Sequence, residues 1–144
     1  MTATTDALAA AVDAENAAIF TYGVSTAFVS AARRDTVAEY AAAHRARRDE
    51  LAAALDAAKA TVPESAAGYT LPLTVDDSVS AVKALLMAEV DCTVAYRALI
   101  ERAEDGAVRR LGLDGLSDSS VRAGTWRVAV RISPATVAFP GRPG

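Results

Sequence analysis

The 144-residue chain has one cysteine and one histidine, and it lacks long uncharged apolar runs. Because Cys92 has no second cysteine to pair with, an internal disulfide is excluded, and we expect its side chain to pack in the interior. No apolar run reaches the about 18 residues typical of a membrane span. The formal net charge of −3 provides no field that attracts nucleic acid or an anionic membrane. We therefore expect a cytoplasmic protein that binds neither nucleic acid nor membranes.

Hydrophobic residues, dominated by alanine, make up 52% of the chain. A chain of this length forms one domain with a substantial core. Strictly alternating β-branched runs are missing, so the propensities favour helix throughout. We predict an all-α domain over residues 4–132. The stretch 133–144 contains three prolines and is predicted to be an irregular tail, with Phe139 as its anchor.

Two ladders of mostly apolar residues lie 74 positions apart, and each contains one acid. Both step by 4, 3, 4, 3, 4 and 3 residues, a spacing that keeps one helical face toward partner helices. Glu15 and Glu89 are therefore predicted inside a bundle, each seven residues before a tyrosine. The ladders consist of Leu8, Val12, Glu15, Ile19, Tyr22, Thr26 and Val29, and of Val82, Leu86, Glu89, Thr93, Tyr96, Ile100 and Ala103.

Capping residues and chain breakers delimit the first three predicted helices. We expect helix 1 over about 4–32, helix 2 from a cap at Asp35 to about residue 60, and helix 3 over about 79–104. Residues 61–74, between helices 2 and 3, contain two prolines and a glycine. Fourteen extended residues span about 45 Å, more than the ~37 Å of a 25-residue helix. This segment is therefore predicted to cross over, so that helix 3 runs parallel to helix 2.

Helix 4 is predicted to begin near Gly106, but residues 112–120 are rich in glycine and serine and could divide it. Beyond this segment a helical stripe resumes, with Trp126 beside it. The stripe is predicted to face inward and consists of Val121, Thr125, Val128 and Ile132.

On helix 2, the same spacing places His44 and Arg48 on the inward face. A guanidinium always carries a positive charge, which can pair with a buried carboxylate, and it cannot act as a metal ligand. We therefore predict that Arg48, helped by Arg122, neutralises either Glu15 or Glu89. Trp126 and Arg122 are predicted to line the same region. The predicted buried polar network consists of Glu15, Glu89, His44, Arg48, Tyr22 and Tyr96.

Four long helices, a long crossover and one inward glutamate on each of helices 1 and 3 resemble the ferritin-like four-helix bundle. Three segments, residues 14–23, 43–49 and 126–127, further resemble an actinobacterial ferritin-like family described as a domain of unknown function. The resemblance implies the fold and no established activity.

In metal-binding members of the ferritin-like fold, helices 1 and 3 each supply a glutamate and helices 2 and 4 each supply Glu-x-x-His. Glu15, Glu89 and His44 match three of these ligands, but Ala41 stands where helix 2 needs its acid. Helix 4 has no histidine, and its corresponding segment begins at Arg122. We therefore expect a degenerate site that holds no metal or other cofactor.

Our preferred interpretation is a noncatalytic helical module that forms a homodimer, and not an enzyme. The sequence contains no phosphate-binding loop, nucleophile elbow or zinc spacing. Phe20, Phe28 and Tyr40 lie outside the inward stripes and are expected to supply apolar contact area for the second subunit.

Two alternatives remain open. The first is an iron- or manganese-dependent oxidoreductase, or an iron-binding protein, that uses Glu15, His44 and Glu89 as ligands. The second is a small-molecule binder whose pocket lies in the bundle core, among the two acids, the two tyrosines of the ladders and Trp126.

Overall fold

The structure is a computed structural model that describes residues 2–143. In this part of the chain, four α-helices form an all-α bundle, and a short 3₁₀ helix precedes the second of them. This confirms the predicted fold class. The helices are α1 (Ala3–Ser25), α2 (Arg34–Ala57), α3 (Ser78–Arg102) and α4 (Gly106–Ala129).

Contacts between the helices establish their directions. Thr4, at the start of α1, donates a hydrogen bond of 2.8 Å from Oγ1 to the carbonyl oxygen of Arg102, at the end of α3. The two helices are therefore antiparallel. The 3₁₀ turn and the bends before it, over residues 26–33, reverse the chain between α1 and α2, so α2 also runs opposite to α1. Hence α2 and α3 run parallel, as predicted, and residues 58–77 form the long crossover between them.

Side-chain caps begin three of the helices. Thr2 and Asp77 form capping boxes at the starts of α1 and α3, and Asp105 Oδ1 accepts a hydrogen bond of 2.8 Å from the backbone N–H of Val108 in α4. The predicted cap of α2 was wrong. Its cap position is Arg33, without a side-chain cap bond, and Asp35 lies in the first turn, where its charge suits the helix dipole.

The chain reverses earlier than predicted after α1, which ends at Ser25 instead of near residue 32. The backbone N–H groups of Phe28 and Val29 both donate to the carbonyl oxygen of Ser25, at 2.9 and 3.1 Å. This turn directs Val29 back into the core, where it packs in one cluster with Val37 of α2. Thr26, the sixth member of the first predicted ladder, is consequently exposed.

The fourth helix is continuous, and the inward face predicted for it was wrong. Val121 is 69% exposed and Val128 is 66% exposed, while Ile132 lies beyond the end of the helix. The face that is buried steps by 3, 4, 3 and 4 residues and consists of Gly112, Gly115, Ser119, Arg122 and Trp126. Small residues occupy it because α4 lies close to α3: a Cβ atom at residue 115 would lie 2.4 Å from the Tyr96 ring.

Two apolar clusters fill the bundle, one toward each end. The first contains Leu8 and Val12 of α1 with Leu51 and Leu55 of α2. The second is built around Trp126. One buried charged side chain on each helix lies near the junction of the two clusters, so a polar layer interrupts the core.

Residues 130–143 follow α4 as turns and coil, and their contact with the bundle differs from the predicted one. Phe139, the predicted anchor, is 66% exposed. Gly141 is buried instead, with a φ of +77°, and a Cβ atom there would lie 2.3 Å from the carbonyl oxygen of Thr93. The tail is therefore held against α3 by a backbone contact that only glycine permits.

Candidate functional site: a buried layer of two acids and two cations

A layer of charged side chains crosses the middle of the bundle, and each helix contributes one of them. Glu15 comes from α1, His44 from α2, Glu89 from α3 and Arg122 from α4. The first three are fully buried and Arg122 is 7% exposed. The acids come from α1 and α3, which pack against each other, and the cations come from α2 and α4, so the layer has an acidic side and a basic side.

His44 bridges the two acids. Its Nδ1 atom lies 2.5 Å from Glu15 Oε2, and its Nε2 atom lies 2.6 Å from Glu89 Oε1. Ionised carboxylates only accept hydrogen bonds, so satisfying both contacts requires a proton on each ring nitrogen, that is, an imidazolium. Burial lowers the pKa of His44, but the hydrogen bonds to Glu15 and Glu89 outweigh burial and raise this pKa to about 9.

Arg122 is the second cation of the layer. Its Nε atom donates to Glu89 Oε1 at 3.1 Å, and its Nη2 atom donates to Ser119 Oγ at 3.3 Å. Burial raises the pKa of Glu89, but His44 and Arg122 outweigh it and hold that pKa below its ordinary value. The layer therefore contains two negative and two positive groups and is formally neutral.

Arg48 does not join this layer, contrary to the prediction from the sequence. Its guanidinium contacts Asp49, with Nε 3.1 Å from Oδ1, and its side chain is 31% exposed. Residue 48 is about 40° from residue 44 around the helix, at the rim of the buried face. A long charged side chain at such a rim reaches water more readily than the core.

Two tyrosines extend the network, each bonded to one acid. The Tyr22 hydroxyl donates to Glu89 Oε1 at 2.7 Å, and the Tyr96 hydroxyl donates to Glu15 Oε1 at 2.5 Å. Burial, followed by the charge of the neighbouring glutamate, raises the pKa of both tyrosines, so both remain neutral phenols. Trp126 completes the series by donating from Nε1 to the Tyr22 hydroxyl oxygen at 2.9 Å.

The structure thus brings together seven of the eight residues singled out from the sequence, and Arg48 is the exception. Trp126, predicted to line a pocket, is fully enclosed and packs its ring 5.5 Å from the ring of Tyr40. Sequence reasoning missed Ser119, the hydroxyl partner of Arg122. The sequence pattern that could have identified Ser119 is the 3 and 4 residue spacing that places it on one helical face with Gly112, Gly115 and Trp126.

The layer does not fit the pair of metal ions found in metal-binding bundles of this architecture. Ala41 and Ser119 offer no carboxylate or imidazole, and the Arg122 guanidinium contacts the same Glu89 oxygen that would face an ion. A fixed cation at this distance repels a divalent metal. Both nitrogens of His44 are also engaged with carboxylates.

Within residues 2–143, one cluster could hold a single ion, since ligand atoms of Glu15, His44 and Cys92 lie within 4.8 Å of one another. A cysteine binds metal as its thiolate. Burial, with the charges of the two glutamates, raises the pKa of the Cys92 thiol well above its ordinary value. The cluster therefore disfavours the thiolate that a metal would need. Glu89 Oε2, outside this cluster, is buried without a hydrogen-bond partner among residues 2–143.

Comparison with solved structures agrees with this architecture. A bacterioferritin-related protein from Bacteroides fragilis, described as a dodecameric thioferritin, matches with a TM-score of 0.75 and 20% identity, over 89% of this chain and 84% of that one. At this identity the likeness shows the fold alone. The protein is a ferritin-like four-helix bundle.

A nearer likeness is a conserved hypothetical protein from Mycobacterium tuberculosis, with a TM-score of 0.86 and 34% identity, over 88% of this chain and 96% of that one. The family model for the domain of unknown function DUF4439 matches residues 7–144. The chain belongs to this family, and the match includes the C-terminal tail. No curated protein matches the sequence. No helix within residues 2–143 is both long and apolar enough to cross a bilayer.

Proposed function

We propose that this protein is a noncatalytic helical module in which His44 and Arg122 replace the metal ions of a ferritin-like site. The observation that supports the proposal most directly is the bridging imidazole of His44, with ring nitrogens 2.5 and 2.6 Å from two carboxylates. Acids that bind metal in related bundles are here neutralised by side chains of the same chain.

In this proposal the layer aligns the four helices. Each helix supplies one charged group, so sliding or rotating one helix would leave a buried charge without its partner. Breaking a buried pair costs about 3–5 kcal/mol, whereas the intact pair adds little net stability. The layer therefore acts by disfavouring other alignments of the bundle, and it performs no reaction.

Metal analysis tests this proposal against the iron- or manganese-dependent alternative. Protein is purified from cells supplied with iron and manganese, alongside Glu15→Ala and a control, Glu64→Ala, which alters an exposed glutamate of the crossover. We expect far less than one metal ion per chain in all three proteins. One ion per chain in wild type and Glu64→Ala, lost in Glu15→Ala, would establish the metal-dependent alternative.

The alternative of a ligand in the bundle core receives less support. Tyr22, Tyr96 and Trp126 are each at most 1% exposed, and their polar atoms bond to one another or to the acids. A core ligand would have to displace these contacts.

We propose further that the module forms a homodimer, through a surface that keeps only Phe28 of the three predicted contact residues. Phe20 packs on Tyr69, with ring centres 5.6 Å apart, and Tyr40 packs on Trp126, so both rings are partly covered within the chain. Phe28 remains 38% exposed, and Val79 at the start of α3 lies at the same end of the bundle and is 53% exposed.

Sedimentation tests the dimer. We expect a concentration-dependent dimer for wild type and for the control Val128→Glu, because Val128 lies on the outer face of α4. Phe28→Glu combined with Val79→Glu should give a monomer. A wild-type monomer at high concentration would remove the proposal.

The proposed place of action is the cytoplasm, where a free thiol such as Cys92 ordinarily stays reduced. Fractionation of cells that express the tagged full chain tests this. Recovery in an exported fraction would contradict it.

A further inference from the structure

A groove on the side of the bundle is separate from the charged layer. It lies between α3, α4 and the C-terminal tail and has a volume of about 440 Å³, within the range typical of small-molecule sites. Apolar side chains form most of its walls: Val90 and Val94 of α3, Val121 of α4, and Val137 and Phe139 of the tail.

The outer wall of the groove is held in place. Gly141 contacts the α3 backbone so closely that no other residue fits there without movement. Arg127 of α4 donates a hydrogen bond of 3.4 Å from Nη1 to the carbonyl oxygen of Ala135 in the tail. The tail therefore contacts α4 through Ala135 and α3 through Gly141, and these two contacts define the groove.

Two arginines, Arg127 and Arg142, supply the charge of the groove, and neither forms an ion pair within residues 2–143. Of the three hydroxyls that line the groove, those of Thr93 and Ser120 are already engaged, and the third belongs to Thr136. Thr93 donates to the carbonyl oxygen of Val90 at 2.6 Å, and Ser120 donates to that of Leu116 at 2.6 Å. The groove thus combines apolar walls with two cations that lack an anion.

We propose that this groove binds an amphiphile with an apolar chain and an anionic head, a carboxylate or a phosphate. The chain would lie against the valines and Phe139, and the head would contact Arg127 and Arg142. Guanidinium groups match both kinds of anion through paired N–H donors, and apolar walls with few polar groups are typical of such sites. This inference does not depend on the role of the charged layer.

Calorimetric titration of the full chain tests the proposal with three probes below their micelle concentrations: decanoate, decyl phosphate and decanol. We expect the anionic probes to bind at least about tenfold more tightly than decanol, because a guanidinium forms a stronger hydrogen bond with an anion than with a neutral hydroxyl. Arg142→Gln, which leaves the hydrogen bond from Arg127 to the tail intact, should weaken binding of the anionic probes and so reduce this preference. Arg45→Gln, at an exposed site on α2, is the control.

A second pair of variants tests the apolar walls. Val121→Glu should weaken all three probes, while Val128→Glu, at a similarly exposed position outside the groove, should weaken none. Tight binding of only one anionic probe would still support the proposal and would identify the head group.

Three results would overturn it. The first is no binding of either anionic probe, and the second is equal affinity for decanol and the anions. The third is a wild-type dimer that Val121→Glu dissociates, with no probe binding, because the groove would then be an interface between two copies of the chain.

Discussion

His44 determines the charge of the buried layer through a single proton. With the imidazole protonated, two acids face two cations. With the imidazole neutral, two carboxylates would share Arg122 alone, and one ring nitrogen would face a carboxylate oxygen without a proton between them. Such a buried, uncompensated charge is costly, so folding and protonation of His44 are coupled.

This coupling predicts how stability depends on pH. The pKa of His44 is about 9 in the folded protein against an ordinary value of 6.5, so its stabilising effect is full below about pH 6.5 and is lost as pH rises through 9. The pKa of Glu89 is shifted in the opposite direction, so its effect is lost on acidification. The free energy of unfolding should fall by about 3 kcal/mol between pH 6 and 10, since one pKa unit corresponds to about 1.4 kcal/mol.

Denaturant unfolding at several pH values measures this dependence, with His44→Gln as the comparison. The variant has no histidine, so it should be less stable near neutral pH and should lack most of the loss between pH 6 and 10. Equal slopes for wild type and variant over this interval would contradict a protonated His44.

The sequence predicted the inward positions of the two acids and His44 because regular spacing defines a helical face. It did not distinguish Arg48 from Arg122 as the buried cation. Residue 48 lies about 40° from residue 44 around the helix axis, at the edge of the buried face. The tilt of the helix decides whether a side chain at this edge points into the core or into water. That tilt depends on packing against the neighbouring helices, chiefly α1, which the spacing within α2 does not encode.

At the scale of the helix, α4 shows how small residues can occupy a buried face. Gly112 and Gly115 let α4 approach α3 closely. The larger valines of α4, Val121 and Val128, lie on its exposed face. Hydrophobic periodicity therefore pointed to the wrong face. The 3 and 4 spacing of the two glycines with Ser119 and Trp126 was the better indication of the buried face. Because these glycines pack against α3, the close packing supports the helix at these positions.

The close approach of α4 to α3 predicts opposite effects for two glycine-to-alanine substitutions. Gly115→Ala would place a Cβ atom 2.4 Å from the Tyr96 ring, so we expect destabilisation by about 1–3 kcal/mol despite the better helix propensity of alanine. Gly23→Ala, in α1, has no neighbouring atom within 4 Å and should stabilise the protein by about 0.5–1 kcal/mol.

Denaturant unfolding of both glycine variants checks this expectation. Stabilisation by Gly115→Ala to the same extent as by Gly23→Ala would show that α4 does not lie so close to Tyr96.

For the whole molecule, the length of the crossover was enough to predict a parallel pair, α2 and α3, and with it the ferritin-like topology. The docking of the tail was not predictable, because Gly141 contacts Thr93 through backbone atoms and leaves no pattern of apolar side chains. The groove depends on that docking, so it too was outside the reach of sequence reasoning. The direction of α3 relative to α2 follows from the length of the crossover segment, whereas the groove depends on the local backbone geometry at Gly141.

In the proposed function, an imidazolium instead of a metal ion holds the two acids together. Because the chain has one histidine, isotope-labelled histidine gives a single pair of ring-nitrogen NMR signals. We expect both nitrogens to carry protons near pH 7, to titrate near pH 9 and not to respond to added iron or zinc. A neutral ring near pH 7, with one bare nitrogen whose signal shifts when metal is added, would contradict it.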